Sequence, residues 1–156
     1  MQDGPVIDRT RQPAYALHAL VHVLDRAAEG VLAEGIGISY RRYLTLLTLQ
    51  RLADEGTVTQ RELATELGVS EPAASRTVGV LREAGWVTSL AAPGEGNRRR
   101  LALTAEGERL VNDAALRLET AFASLMDAAG VEADDVLAIT DPLLGTLATL
   151  SEVSQS

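Results

Sequence analysis

With 156 residues, 46% of them apolar and 23% charged, the chain has ordinary globular composition and is long enough to bury a real core, as one domain or one two-lobed protomer. The lack of cysteine excludes a disulfide framework, a thiolate metal site and a peroxide-sensing thiol; the polar start MQDGPVIDRTRQP and the absence of any apolar run near ~20 residues argue against export or membrane spanning and leave the cytoplasm. The formal charge of −8 looks wrong for a protein that meets a polyanion until it is divided: residues 105–156 hold ten of the 22 acids, whereas residues 57–104 set six arginines against five acids.

Residues 1–12 read as a polar arm. Pro13 suits the first turn of a helix over residues 14–32, whose Ala16, Leu17, Leu20, Val21, Leu24, Ala27, Ala28 and Val31 form a broad apolar stripe that needs a partner. Gly35 and Gly37 are expected to stop it. Ser39 can cap a second amphipathic helix, carried by Tyr43, Leu46, Leu47, Leu49 and Leu52, that ends near Glu55 before Gly56. Val58 begins a short strand.

The stretch TQRELATELGVSEPAASRTVGVLREAGWV, residues 59–87, has the spacing of two short helices joined by a turn. Leu63, Ala64 and Leu67 give one apolar face, Gly68 interrupts it, and Val69 restarts it ahead of Ala74, Val78 and Leu81. Thr59 with Glu62 makes a capping box, and Ser70 is the next N-cap, with Pro72 in the first turn where a missing N–H does no harm. Ala64 is small where the second helix must cross closely, and Gly68 sits where the turn needs positive φ. This is a helix-turn-helix, a unit whose second helix lies in the DNA major groove with its N-terminal part at base edges. The face left over carries Ser70, Glu71, Pro72, Ser75, Arg76 and Gly79. Arg76 is the strongest candidate reader, since a guanidinium bonds guanine O6 and N7 together. A phosphate contact, or a surface pair with Glu71 or Glu83, is the alternative.

Gly85 should cap that helix, residues 86–90 form a strand, 91–97 a loop tip and 99–103 the returning strand. The hairpin carries Arg98, Arg99 and Arg100, three guanidinium groups able to reach a narrow minor groove, or a charged edge that merely resists pairing. Thr104 caps a long helix over residues 105–129, ended by Gly130. Residues 133–153 are helical in pattern, with Asp141-Pro142 expected to kink or divide the helix. Val136, Leu137, Ile139, Leu143, Leu144, Leu147 and Leu150 are more apolar surface than one protomer needs, which points to a dimer interface made with the first helix. The expected class is mainly α with a small β-wing: a winged helix-turn-helix lobe over residues 39–104 and a helical dimerisation region made of 13–34 and 105–153.

Taken together, these elements resemble the MarR family of bacterial transcription regulators over nearly everything from Pro13 to Leu150. The most specific pieces are VSEPAASRTVGVLREAGWV and NRRRLALTAEG. The resemblance implies an obligate homodimer that pairs its end helices and sets two winged lobes on a pseudo-palindromic double-stranded DNA operator. It also implies a repressor released by a small aromatic or anionic effector held between the dimerisation and DNA-binding regions. Many relatives carry an aspartate before the wing arginines, where Gly96-Asn97 stand here, so that position supplies no carboxylate for the usual stiffening salt bridge. The cysteine of the oxidation-sensing branch is absent.

A ligand cleft is expected between the first, second and fifth helices, with Tyr15, His18, His22, Tyr40, Arg42 and Tyr43 able to line it. Arg41 and Arg42 can hold a carboxylate there or contact DNA phosphate. His18 and His22, four apart on a face shared with Tyr15, could join Asp25, Glu29 or a partner-chain carboxylate in a zinc or nickel site, which would make the protein a metal-responsive regulator. A winged helix that bends DNA or binds protein without any ligand is the other alternative. The main expectation is a regulator with no metal site and no cofactor. Catalysis has little to work with, because both histidines lie on one helix and there is neither a nucleophilic cysteine nor a phosphate-binding glycine loop, so no enzyme is expected.

Overall fold

The computed structural model describes residues 12–91 and 99–153. Along the chain run α1 (Pro13–Ile36), α2 (Tyr40–Glu55), β1 (Val58–Thr59), α3 (Gln60–Glu66), α4 (Glu71–Glu83), β2 (Val87–Ala91), β3 (Arg99–Leu103), α5 (Ala105–Ala129) and α6 (Ala133–Val153). The class is the expected one, helical with a small wing sheet. Contacts divide the chain into two compact units, the first reaching to Arg117 and the second beginning at Leu118. By this measure α1 and the first half of α5 group with the winged lobe.

In the first unit α1 starts at Pro13, where a missing N–H costs nothing. Gly35, expected to stop the helix, lies inside it. One glycine costs a helix only about 1 kcal/mol relative to alanine, and a Cβ at Gly35 would lie 3.0 Å from Nη1 of Arg117. The stop is Gly37, at φ 69°, whose N–H donates to the Leu32 carbonyl at 3.0 Å. α2 opens behind Ser39, whose Oγ accepts the Arg42 N–H at 3.4 Å. It buries Tyr43, Thr45, Leu46 and Leu49, and the buried Thr45 hydroxyl donates to the Arg41 carbonyl at 2.9 Å.

The capping box of α3 is present: Thr59 Oγ1 accepts the Glu62 N–H at 3.3 Å, and Glu62 Oε2 accepts the Thr59 N–H at 2.7 Å. α3 packs on α4 through buried Leu63, Ala64, Ala74, Val78 and Leu81. Between them Gly68 takes φ 63°, which an L side chain rarely adopts, and Val69 N–H reaches back to the Ala64 carbonyl at 3.0 Å. The same turn ends α4: Gly85 N–H donates to Arg82 O and Trp86 N–H to Leu81 O. That bond occupies Trp86, so β2 begins one residue later than expected, at Val87.

The sheet order is β1-β3-β2, antiparallel throughout, with Val58 opposite Leu101 and Val87 opposite Leu103. Val58, Val87 and Leu101 are buried, whereas Leu90 and its partner Arg100 are exposed. Period-two alternation thus turns one sheet face to the core and the other to solvent. Leu32, Ile38, Leu46, Leu49, Leu63, Leu81 and Val111 are fully buried, so one core joins α1, α2, α3, α4 and the start of α5.

In the second unit α5 runs to Ala129, Gly130 turns the chain, and α6 follows as one helix. Pro142 does not divide it, because proline removes a single i→i−4 donor and the ladder on either side stays helical. The Thr146 hydroxyl donates to the Pro142 carbonyl at 2.8 Å. No residue of α6 with a described side chain is buried, and Leu137, Ile139, Leu143 and Leu144 are exposed. Among the described residues no helix is long and apolar enough to cross a membrane.

Candidate nucleic-acid interface

The candidate surface is built on α4. Ser70 is extended at φ −68°, ψ 149°, and its Oγ accepts the Ala73 N–H at 3.4 Å, which fixes where the helix starts. Pro72 follows within the first turn, adding a residue whose φ is already helical. Since Ala74, Val78 and Leu81 hold the helix down on α3, helical period puts Glu71, Pro72, Ser75 and Arg76 on the outward arc, and all four are exposed. Ser70 is exposed as well, with its hydroxyl proton still available to an acceptor.

Arg76 makes no hydrogen bond or ion pair with any described residue, so neither Glu71 nor Glu83 holds it. Glu71 instead lies 3.9 Å from Nε of Arg61, a loose pair between exposed side chains. The Arg76 donors are therefore uncommitted in this structure. The outward arc continues along α4 through Gly79 to a shallow open groove of about 500 Å³ between α4 and β2. Arg82, Thr88 and Ser89 line it and supply further donors. Sequence reasoning missed these three, since which strand residues flank α4 depends on how the hairpin packs.

On the wing, Arg100 lies in β3 opposite Thr59 on one side and Leu90 on the other, and is exposed. Arg99 precedes it in β3, opposite Ala91. Arg98 and the expected loop tip fall outside the described residues. Behind the helix-turn-helix, Arg51 of α2 pairs with Glu55 at 3.2 Å and, through its other terminal nitrogen, with Glu66 of α3. The first partner is an i,i+4 pair legible in sequence, while the second crosses elements and is not.

The candidate ligand residues separate into two groups. Tyr40 and Tyr43 stack at the α1–α2 junction with ring centroids 6.1 Å apart, and Tyr43 is buried. The Tyr40 N–H donates to Oε2 of Glu29 at 2.7 Å. Partial burial, and then the negative charge of Asp25, push the Tyr40 hydroxyl above its ordinary pKa of 10.0. Arg41 and Arg42 are exposed at the start of α2. Tyr15, His18 and His22 are exposed further up α1; at ~1.5 Å per residue Tyr15 sits about 15 Å along the axis from Asp25. Asp25 and Glu29 do not complete a metal site with the histidines: among the described residues no group of three or more His, Cys, Asp or Glu could hold an ion. Glu29 is already engaged by the α2 N-terminus.

Against known proteins, the profile of the MarR family matches residues 36–100, which takes in α2, the helix-turn-helix and the start of β3. Among solved structures, a MarR-family transcriptional regulator from Rhodococcus sp. RHA1 is 25% identical, with TM-score 0.71 over 83% of this chain and 88% of that one. The MepR–DNA complex from S. aureus superposes with TM-score 0.70 at 19% identity, covering 92% of this chain and 99% of that one. NadR in complex with 4-hydroxyphenylacetate gives TM-score 0.69 at 22% identity over 93% and 98% of the two chains. No curated protein matches by sequence.

Proposed function

We propose that this winged-helix protein of the MarR family is a homodimeric, sequence-specific regulator that sits on a pseudo-palindromic DNA operator and represses until a small aromatic or anionic effector releases it. The observation that carries the DNA reading is the outward arc of α4, with Arg76 uncommitted above a helix pinned by Ser70 and a buried Ala74–Val78–Leu81 face. Ser70, Glu71, Pro72, Ser75 and Arg76 meet base edges and adjacent phosphates, while the wing arginines Arg98, Arg99 and Arg100 divide between the neighbouring minor groove and phosphate, since strand alternation sends Arg99 to the side opposite Arg100. The MepR structure was solved on DNA, which supports the same use of the shared fold here.

The exposed apolar rows of α1 and α6 support the homodimer. A ligand-bound neighbour, NadR, holds 4-hydroxyphenylacetate, a small aromatic carboxylate. The stacked Tyr40 and Tyr43 beside Arg42 are groups of the chemistry such an effector would take. Release requires the effector to favour a form of the dimer that fits DNA less well; equal affinity for both forms would shift nothing.

The test is a gel-shift series on operator and scrambled duplexes against salt. Roughly six to ten neutralised phosphates per dimer should give a steep negative slope of log affinity on log salt, with the operator favoured. Indifference to every duplex in dilute buffer would end the proposal and leave a protein-binding module.

A further inference from the structure

The candidate surface depends on where α4 points, and the structure shows what holds its far end. The Thr104 hydroxyl donates to the Gly85 carbonyl at 2.7 Å, in the turn that closes α4, and accepts the Gly107 N–H at 3.0 Å, in the first turn of α5. The Thr104 N–H donates to the Trp86 carbonyl at 3.0 Å, and Trp86 N–H donates in turn to Leu81 O at the buried end of α4. Gly107 is buried against the same peptide: a Cβ there would lie 2.1 Å from the Trp86 oxygen and 3.0 Å from its carbonyl carbon. The close approach is backbone on backbone, so nothing flexible could move aside.

The Thr104 hydroxyl therefore ties two segments, the turn that ends α4 and the first turn of α5, while the N–H of the same residue, directly after β3, holds the Trp86 carbonyl just ahead of β2. We infer that Thr104 is a positioning residue for DNA reading, the bolt through which α4 and the head of α5 move as one body. Without it α4 would remain a helix, since its own caps and core face persist, but the tie from its closing turn to α5 would be lost, leaving the Thr104 N–H bond to the Trp86 carbonyl and packing to set its angle to the wing. A hydroxyl that both donates and accepts is required. Serine can replace it, and valine, of the same shape, cannot.

This inference rests on the DNA reading proposed above, and the experiment keeps the two apart. Operator affinity and thermal melting are measured for wild type, Thr104→Val and Thr104→Ser. Thr104→Val should remain folded at the assay temperature and bind the operator roughly tenfold more weakly, and Thr104→Ser should return to within about twofold of wild type. Wild-type affinity in the valine variant, or equal loss in both variants, would overturn the inference. A wild type that ignores DNA would instead sink the DNA reading. Hydrogen exchange on unmodified protein gives a second readout: the amides of Trp86, Thr104 and Gly107 should exchange as one group and slow together when operator is added. Independent exchange of the three would refute a single joint, even if the valine variant failed to fold.

Discussion

The leucines of the winged lobe and those of α6 have the same chemistry and opposite surroundings. Leu32, Leu46, Leu63 and Leu81 are fully buried, whereas Leu137, Ile139, Leu143 and Leu144 are 48–64% exposed. The lobe closes a core of its own, with small Ala64 and Ala74 where α3 and α4 approach. α6 closes none, and the N-terminal half of α1, with Tyr15, Leu17, Leu20, Val21 and Val23 exposed, resembles it. An exposed apolar row of that length is the kind of surface that interfaces present. The occupant we propose is the same row on a second copy.

The largest expected effect breaks the lobe. Leu63→Ala removes a fully buried side chain and should cost about 2–5 kcal/mol, read as a fall in melting temperature at any protein concentration. Leu144→Ala should cost a dilute single chain no more than about 0.5 kcal/mol yet weaken self-association in sedimentation, with melting that depends on concentration. A concentration-independent loss as large as that of Leu63→Ala would erase the distinction between the two regions.

Within the lobe the same comparison can be sharpened between helix and wing. Arg76→Ala should remove about 1–3 kcal/mol of discrimination at one base position, measured by competition between operator variants. Arg98→Ala should weaken all duplexes alike and lower the salt slope by about 1. A sequence-independent loss at Arg76 would reassign it to phosphate.

The smallest effect concerns the α1–α2 junction. The Tyr40 hydroxyl titrates above its ordinary value because burial, then Asp25, disfavours the anion. Folding therefore holds the proton more tightly than the unfolded chain does. The stability tied to Tyr40 is complete below about pH 10 and is lost as pH rises past it. Tyr40→Phe should flatten that alkaline limb in denaturant melts and leave neutral stability nearly unchanged. An identical limb in both proteins would place the titration elsewhere.

Local features of the fold were legible in the residues because their causes are local. The Thr59–Glu62 box, the Ser70 cap, Pro72, and the turns at Gly68 and Gly85 each act within a few residues, and each lies where its spacing puts it. The outward arc of α4 followed from them, since a cap and a buried stripe leave only one outward face. Features that depend on competition between neighbours were read less well. Gly35 against Gly37 as a stop, Pro142 as a divider and Trp86 as the start of β2 each turned on which of several nearby backbone bonds formed, as the Gly37 N–H on Leu32 O and the Trp86 N–H on Leu81 O show.

The chain alone thus determined that a helix-turn-helix forms, which side of α4 faces out, and that arginine rather than acid crowds the wing, since capping, periodicity and composition are properties of short stretches. Tertiary structure decided the rest. It brought Glu29 onto the N-terminus of α2, Arg51 onto Glu66, the β2 hydroxyls beside α4, and Gly107 against the Trp86 carbonyl. The meetings at Glu29, Glu66 and Gly107 join residues 11 to 21 positions apart at van der Waals or hydrogen-bond distance, and only the packing of whole elements against one another sets such distances.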